Sequence, residues 1–120
     1  MCLKEVDPVK PKSSGFGYKV FRVEADGLHS AFMDTLNPWR KWVTASATYT
    51  EPGFHIYRTR EQAERCVRWY DGHYAEWPPQ ERPNYQIFKV EYRNATRQGI
   101  GDGGFTKNAR VIVAQEIYIL

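Results

Sequence analysis

PGFHIYRTREQAERCVRWYD, from Pro52 to Asp71, is the stretch on which the fold turns. It sets a turn, a short strand, a helix start and an amphipathic helix in unbroken order. Pro52-Gly53 is a turn pair, and Phe54-His55-Ile56-Tyr57 alternates as a half-buried strand does. Thr59 stands three residues before Gln62, the spacing of a capping box. The Thr hydroxyl accepts from the Gln62 backbone N–H, and the Gln side chain reaches back to the N–H of Thr59. Ala63, Cys66, Val67 and Tyr70 then recur at three- and four-residue steps, with Arg60, Glu61, Glu64, Arg65 and Arg68 on the other faces. One principal helix over about 59–71, laid on one face of a sheet, follows from this pattern. If that helix covers Phe54 and Ile56, strand alternation puts His55 and Tyr57 on the uncovered side.

Working outward, the rest of the chain reads as strand and loop. Met1 to Gly15 carries Asp7-Pro8, Lys10-Pro11-Lys12 and Ser13-Ser14, which predict an extended arm. Strands are expected over Phe16 to Glu24, Leu28 to Phe32 after an Asp26-Gly27 turn, and Trp39 to Thr44 after Asn37-Pro38. Ala45 to Glu51 reads as a loop and Gly72 to Pro83, with three prolines, as an irregular connection. Asn84 to Arg93 alternates again, and Ala95 to Gln98 extends it or bulges. Arg110 to Leu120 is the strongest strand, its apolar start that of a strand buried on both faces. The fold class is therefore α+β: an antiparallel sheet of about five to six strands with one principal helix. Residues 16–120 form a single domain and 1–15 the arm.

Composition excludes several classes. A chain of 120 residues is one domain. No run approaches the roughly 18 apolar residues of a membrane helix, and no apolar signal segment opens the chain, so the cytosol is the expected address. Cys2 and Cys66 fit a reducing compartment, with Cys66 a small buried hydrophobe on the helix stripe. The net charge of +3 is too mild to imply nucleic-acid binding by itself. The placement of arginines among aromatics is the more informative feature.

A nucleotide site needs a π-face, a guanidinium fork for phosphate and an amide for a base edge. Arg22, Trp42, His55, Tyr57, Tyr92, Arg93, Asn94, Arg97, Phe105 and Arg110 supply these types near predicted strand ends. Charged strand ends and core aromatics are also normal in any small sheet protein. Gly101 to Gly104 reads as a hairpin loop or, functionally, as a mobile flap or anion nest; neither the dinucleotide nor the P-loop pattern is present. His29, His55 and His73 show no metal spacing, so no metal and no cofactor are expected. An enzymatic reading uses His29 or His55, Tyr57 and Glu116, which resemble the His, Tyr and Glu of ADP-ribosyltransferases. Gln115 and Glu116 are adjacent here, whereas that family places its Glu two residues after a Gln or Glu.

The order of short motifs carries a further resemblance. Tyr18-Lys19-Val20-Phe21, Trp42-Val43-Thr44, Gly53 to Tyr57, Glu61-Gln62-Ala63, Ile87 to Val90 and Ala114 to Ile117 follow one another along residues 16–120. The chain resembles small bacteriophage and prophage proteins, and among them the anti-Thoeris sponge family. That resemblance implies a small sheet flanked by helices, self-association, and sequestration of cyclic ADP-ribose or cyclic oligonucleotide signals without catalysis. Arginines would contact phosphate and aromatics would stack. The expected partner is thus a cyclic nucleotide-type small molecule, in a homo-oligomer and in the host cytoplasm. The alternatives are an anti-CRISPR-like inhibitor that binds a host defence protein, and the transferase. An uncovered, aromatic-rich sheet face is the expected basis of self-association.

Overall fold

The structure is a computed structural model, and it describes residues 3–30, 36–37, 40–45, 53–101 and 109–120. The strands are β1 (Leu3–Val6), β2 (Gly15–Glu24), β3 (Gly27–Ser30), β4 (Leu36–Asn37), β5 (Trp42–Thr44), β6 (Phe54–Tyr57), β7 (Asn84–Gly101) and β8 (Arg110–Ile119). The helix α1 spans Arg60–His73. All strand pairings are antiparallel. An antiparallel sheet with one principal helix is the expected α+β class. Among the described residues, eight strands enter the sheet instead of five or six. The additional ones are β4, of two residues, and β1, which comes from the stretch read as an arm and pairs with β7.

β7 organises this sheet. Its first half pairs with β2, from Asn84 opposite Val23 to Tyr92 opposite Gly15. Its second half pairs with β8, from Val90 opposite Ile119 to Ile100 opposite Arg110. Residues 90–92 are thus paired on both edges. β8 continues to β6, and β6 touches β2 through the single bridge of Tyr18 and Tyr57. The pairings β7–β8–β6–β2–β7 close a ring. A register shift between Ala95 and Arg97 bends β7, next to Asn94, whose φ of 57° is the left-handed conformation that Asn tolerates.

Closure divides the core into two clusters. The first, enclosed by the ring, gathers Phe21, Phe54, Ile56, Val90, Tyr92, Ile112, Ala114, Ile117 and Ile119. The second lies on the ring's outer face, where Val20, Tyr57, Tyr85 and Val111 meet Ala63, Cys66 and Tyr70 of α1. The expected side of β6 is therefore corrected. The helix residues share a cluster with Tyr57, whereas Phe54 and Ile56 face into the ring. All four residues of β6 are buried, because a strand within a closed sheet has no solvent side.

The helix start forms largely as its sequence requires. The Thr59 hydroxyl accepts from the Gln62 N–H at 3.3 Å. The Gln62 amide does not return to Thr59. Oriented to satisfy both its groups, it donates to the Arg110 carbonyl at 3.2 Å and accepts from the Arg110 N–H at 3.1 Å, tying α1 to β8. No helix among the described residues is long and apolar enough to cross a membrane.

Ring closure leaves no room beside β2. A Cβ on Gly17 would collide with Ile56 Cγ2 and lie 2.9 Å from the Tyr57 carbonyl oxygen. Gly17→Ala is expected to destabilise the fold by about 1–3 kcal/mol through overpacking at this seam. Urea denaturation measures it, and an unchanged midpoint would show that the β2–β6 seam is not tight.

Candidate functional site

A groove of about 440 Å³ opens where the first cluster reaches the surface. Tyr92 and Ile112 contribute from that cluster, and Phe16, at the start of β2, forms an aromatic wall. Lys10, Pro11 and Lys12 line it from the segment that joins β1 to β2, and Arg58 does so immediately after β6. Gln98, beyond the bulge in β7, completes the lining.

The joining segment is fixed in place. The Asp7 N–H donates to the Gln98 carbonyl at 2.9 Å. The Gln98 side-chain nitrogen donates to the Val9 carbonyl at 2.9 Å. The Ala95 N–H donates to the Ser13 carbonyl at 2.9 Å. Arg110 Nη1 sits 3.0 Å from Asp7 Oδ2. Gln98 also accepts a hydrogen bond from Arg58 Nη2 through Oε1, so one buried amide orients both the segment and the guanidinium. Burial raises the Tyr92 phenol pKa, with Arg58 pulling the other way. Lys89 Nζ lies 5.4 Å from the centre of the Phe16 ring, adding positive charge beside that wall.

Among the described residues, three cations and no carboxylate line this groove, alongside two aromatic rings and an amide. Positive charge left unbalanced in a concavity suits an anion, and the rings suit a planar group. Among the described residues, the lining holds no His, Cys, Asp or Glu.

Of the residues picked out in the sequence that the structure describes, only Tyr92 lines the groove. Arg93, Asn94 and Trp42 meet elsewhere, around Glu116 on β8. Arg93 Nε and Nη2 each lie 3.0 Å from a Glu116 oxygen, and the Asn94 amide donates to the same carboxylate. The Arg93 guanidinium carbon lies 3.9 Å from the centre of the Trp42 ring, which in turn lies 5.6 Å from Tyr118. This clasp fastens β5, β7 and β8 at the bulge. Arg22 is held 3.2 Å from Glu24. Arg97 shares the register row of His55, across Val113. Arg110 is held by Asp7. Phe105 and the GDGG flap beyond Gly101 lie outside the described residues.

His55 and Tyr57 are buried, at 9% and 3% exposure. Burial and the charge of Lys19 depress the His55 imidazole pKa to about 3, so it is neutral at physiological pH. Tyr57 is hydrogen-bonded to Cys66, and burial raises its phenol pKa and lifts the Cys66 thiol to about 11. The transferase set does not converge. Tyr57 pairs with Val111, whereas Glu116 pairs with Thr44, five residues along β8 or roughly 17 Å away. Sequence spacing showed no metal pattern, but the β2–β3 turn brings ligand-type atoms of Glu24, Asp26 and His29 within 4.8 Å. They are knit to one another, with His29 Nε2 2.7 Å from Asp26 and 2.9 Å from Glu24.

Lys10, Lys12, Phe16, Arg58 and Gln98 were missed. The available signal was Lys10-Pro11-Lys12, two cations on a stiffened segment, and a cation placed directly after the β6 pattern. Compared with protein-family models, curated proteins and solved structures, the chain matches none.

The Arg93 hydrogen bonds hold the Glu116 carboxyl pKa below its ordinary 4.5. A depressed folded-state value means the clasp stabilises fully above pH 4.5 and is lost as pH falls through the lower value. Thermal melts of the parent chain and Glu116→Gln should therefore differ at pH 7 and converge in acid. A gap that stays constant across pH would contradict a charged clasp.

Proposed function

We propose that this protein binds a phosphate-bearing, ring-containing signal of the cyclic ADP-ribose or cyclic oligonucleotide class and holds it without turnover. In that reading it is a bacteriophage counter-defence sponge acting in the host cytoplasm. The observation that carries the proposal is the groove: Lys10, Lys12 and Arg58 with no carboxylate among its described lining, beside Phe16 and Tyr92. A sponge requires affinity alone, which preorganised cations and stacking faces supply. The resemblance to anti-Thoeris proteins supports the same class of ligand. Arg58 is the residue of choice for phosphate, because the Gln98 amide orients its fork without neutralising it.

The test exposes the purified chain to cyclic ADP-ribose isomers and to cyclic di- and trinucleotides. Thermal shift is followed by heating, release and mass analysis of the ligand. Binding is expected to raise the melting temperature and to return the ligand intact. Arg58→Gln should weaken that binding at least about tenfold, or about 1.4 kcal/mol, while leaving the fold in place. No shift with any of these ligands, or binding indifferent to Arg58→Gln, sinks the proposal. Consumption of NAD abolished by Glu116→Gln would favour the transferase. Nucleotide-insensitive co-purification with a host defence protein would favour the effector inhibitor.

A further inference from the structure

Lys19 stands in β2 where the ring-enclosed cluster thins toward the surface. Phe88 lies opposite it in register, and Phe88 and Val43 are only partly buried there. A half-buried lysine ordinarily lays its stem on apolar surface and keeps its ammonium in water. Lys19 is half-buried, yet its amine turns inward. Nζ donates to the His55 carbonyl at 3.3 Å and lies 5.8 Å from the ring centres of Phe54 and the fully buried Phe21. Among the described residues this is its one hydrogen bond, and no carboxylate pairs with it. The position is distinct from the groove. Gly15, opposite Tyr92, lies four residues back along β2, roughly 13 Å away.

An amine so placed adds little to the fold. Taking an ammonium out of water costs free energy that a carboxylate would offset and that two ring faces offset only in part. What the setting does supply is reactivity. Burial brings the Lys19 pKa from 10.5 down to about 8, with Cys66 acting the other way. At pH 7 about a tenth of the amine is then neutral, against fewer than about one in a thousand for an exposed lysine. Donating one N–H to the His55 carbonyl leaves the lone pair of that neutral amine unused. Phe21 and Phe54 wall the amine, and Phe88 stands edge-on to Phe21 at 5.7 Å.

We propose that Lys19 captures apolar aldehydes, aromatic ones above all, as a reversible imine at this end of the ring. Nζ adds to the carbonyl carbon, two N–H protons pass by way of solvent to the carbonyl oxygen, and that oxygen leaves as water. A C=N bond replaces the C=O bond, with no change of oxidation state and no further reactant. The rings select the ligand. They offer an aryl group edge and face contacts, and give a polyhydroxylated chain nothing to hydrogen-bond. The capture is independent of the groove and leaves its lining untouched.

Reductive trapping on the full chain tests it. The protein is treated with benzaldehyde and sodium cyanoborohydride near pH 7, which fixes each imine as a secondary amine, and the modified lysines are mapped by peptide mass spectrometry. Lys19 should be labelled at least about tenfold faster than exposed Lys10, Lys12, Lys41 and Lys89. Glyceraldehyde, a polyhydroxylated aldehyde, should lose most of that preference, and unfolding in guanidinium chloride should erase it. Equal labelling of Lys19 and the exposed lysines by benzaldehyde overturns the proposal. So does a preference that persists in the unfolded chain, since it would belong to the local sequence. A preference that glyceraldehyde shares in full also overturns it, marking a reactive amine without an apolar site.

Discussion

One strand serving two partners is the constraint on which this structure depends. At Val90 to Tyr92, β7 is hydrogen-bonded to β2 on one edge and to β8 on the other. A strand long enough to do both must bend, and the shift at Ala95–Arg97 beside left-handed Asn94 provides the bend. Once the ring closes, both sheet faces are internal along β6 and polar groups are trapped there. Lys19 shows the consequence. Its Nζ donates to the His55 carbonyl at 3.3 Å and lies 5.8 Å from the Phe21 and Phe54 ring centres. Burial brings its pKa down to about 8. The ring faces recover part of the lost hydration.

The same closure builds the groove. A closed sheet must open somewhere, and ligand sites collect at such mouths because walls there come from several strands at once. Here Phe16, Arg58, Tyr92, Gln98 and Ile112 come from four different parts of the ring. The segment bearing Lys10 and Lys12 is pinned at Asp7, Val9 and Ser13, so these cations approach from a fixed backbone. Fixing the backbone before a ligand arrives removes part of the ordering cost of binding.

The local elements were legible in the sequence because their signals are local. Thr59 marked the helix start, and Phe54 to Tyr57 matched β6 to the residue. Closure was not legible, because it depends on which strands meet at long separation. Alternation told Tyr57 from Ile56 but not which side the helix would take. The alternation over Asn84 to Arg93, with Ala95 to Gln98 as an extension or bulge, matches β7, which runs on to Gly101 with its register shift at Ala95–Arg97. Which side chain beyond the bulge turns to the groove, Gln98 and not Arg97, depends on that shift. Gly72, read as the start of the irregular connection, lies inside α1, which runs on to His73.

The arginines explain why the candidate site lies away from the aromatic-rich strand ends. Arg22 faces Glu24, Arg93 faces Glu116 and Arg110 faces Asp7. An anionic ligand reaching any of these must displace a carboxylate that is already in place, and it gains only the difference between two ion pairs. Arg58 is held by an amide, which fixes direction and leaves the charge unbalanced. Lys10 and Lys12 add to that charge within the same concavity. Sequence alone ranks these arginines by their aromatic neighbours. Geometry ranks them by their carboxylates, and electrostatics makes the second criterion the one that decides where an anion can bind.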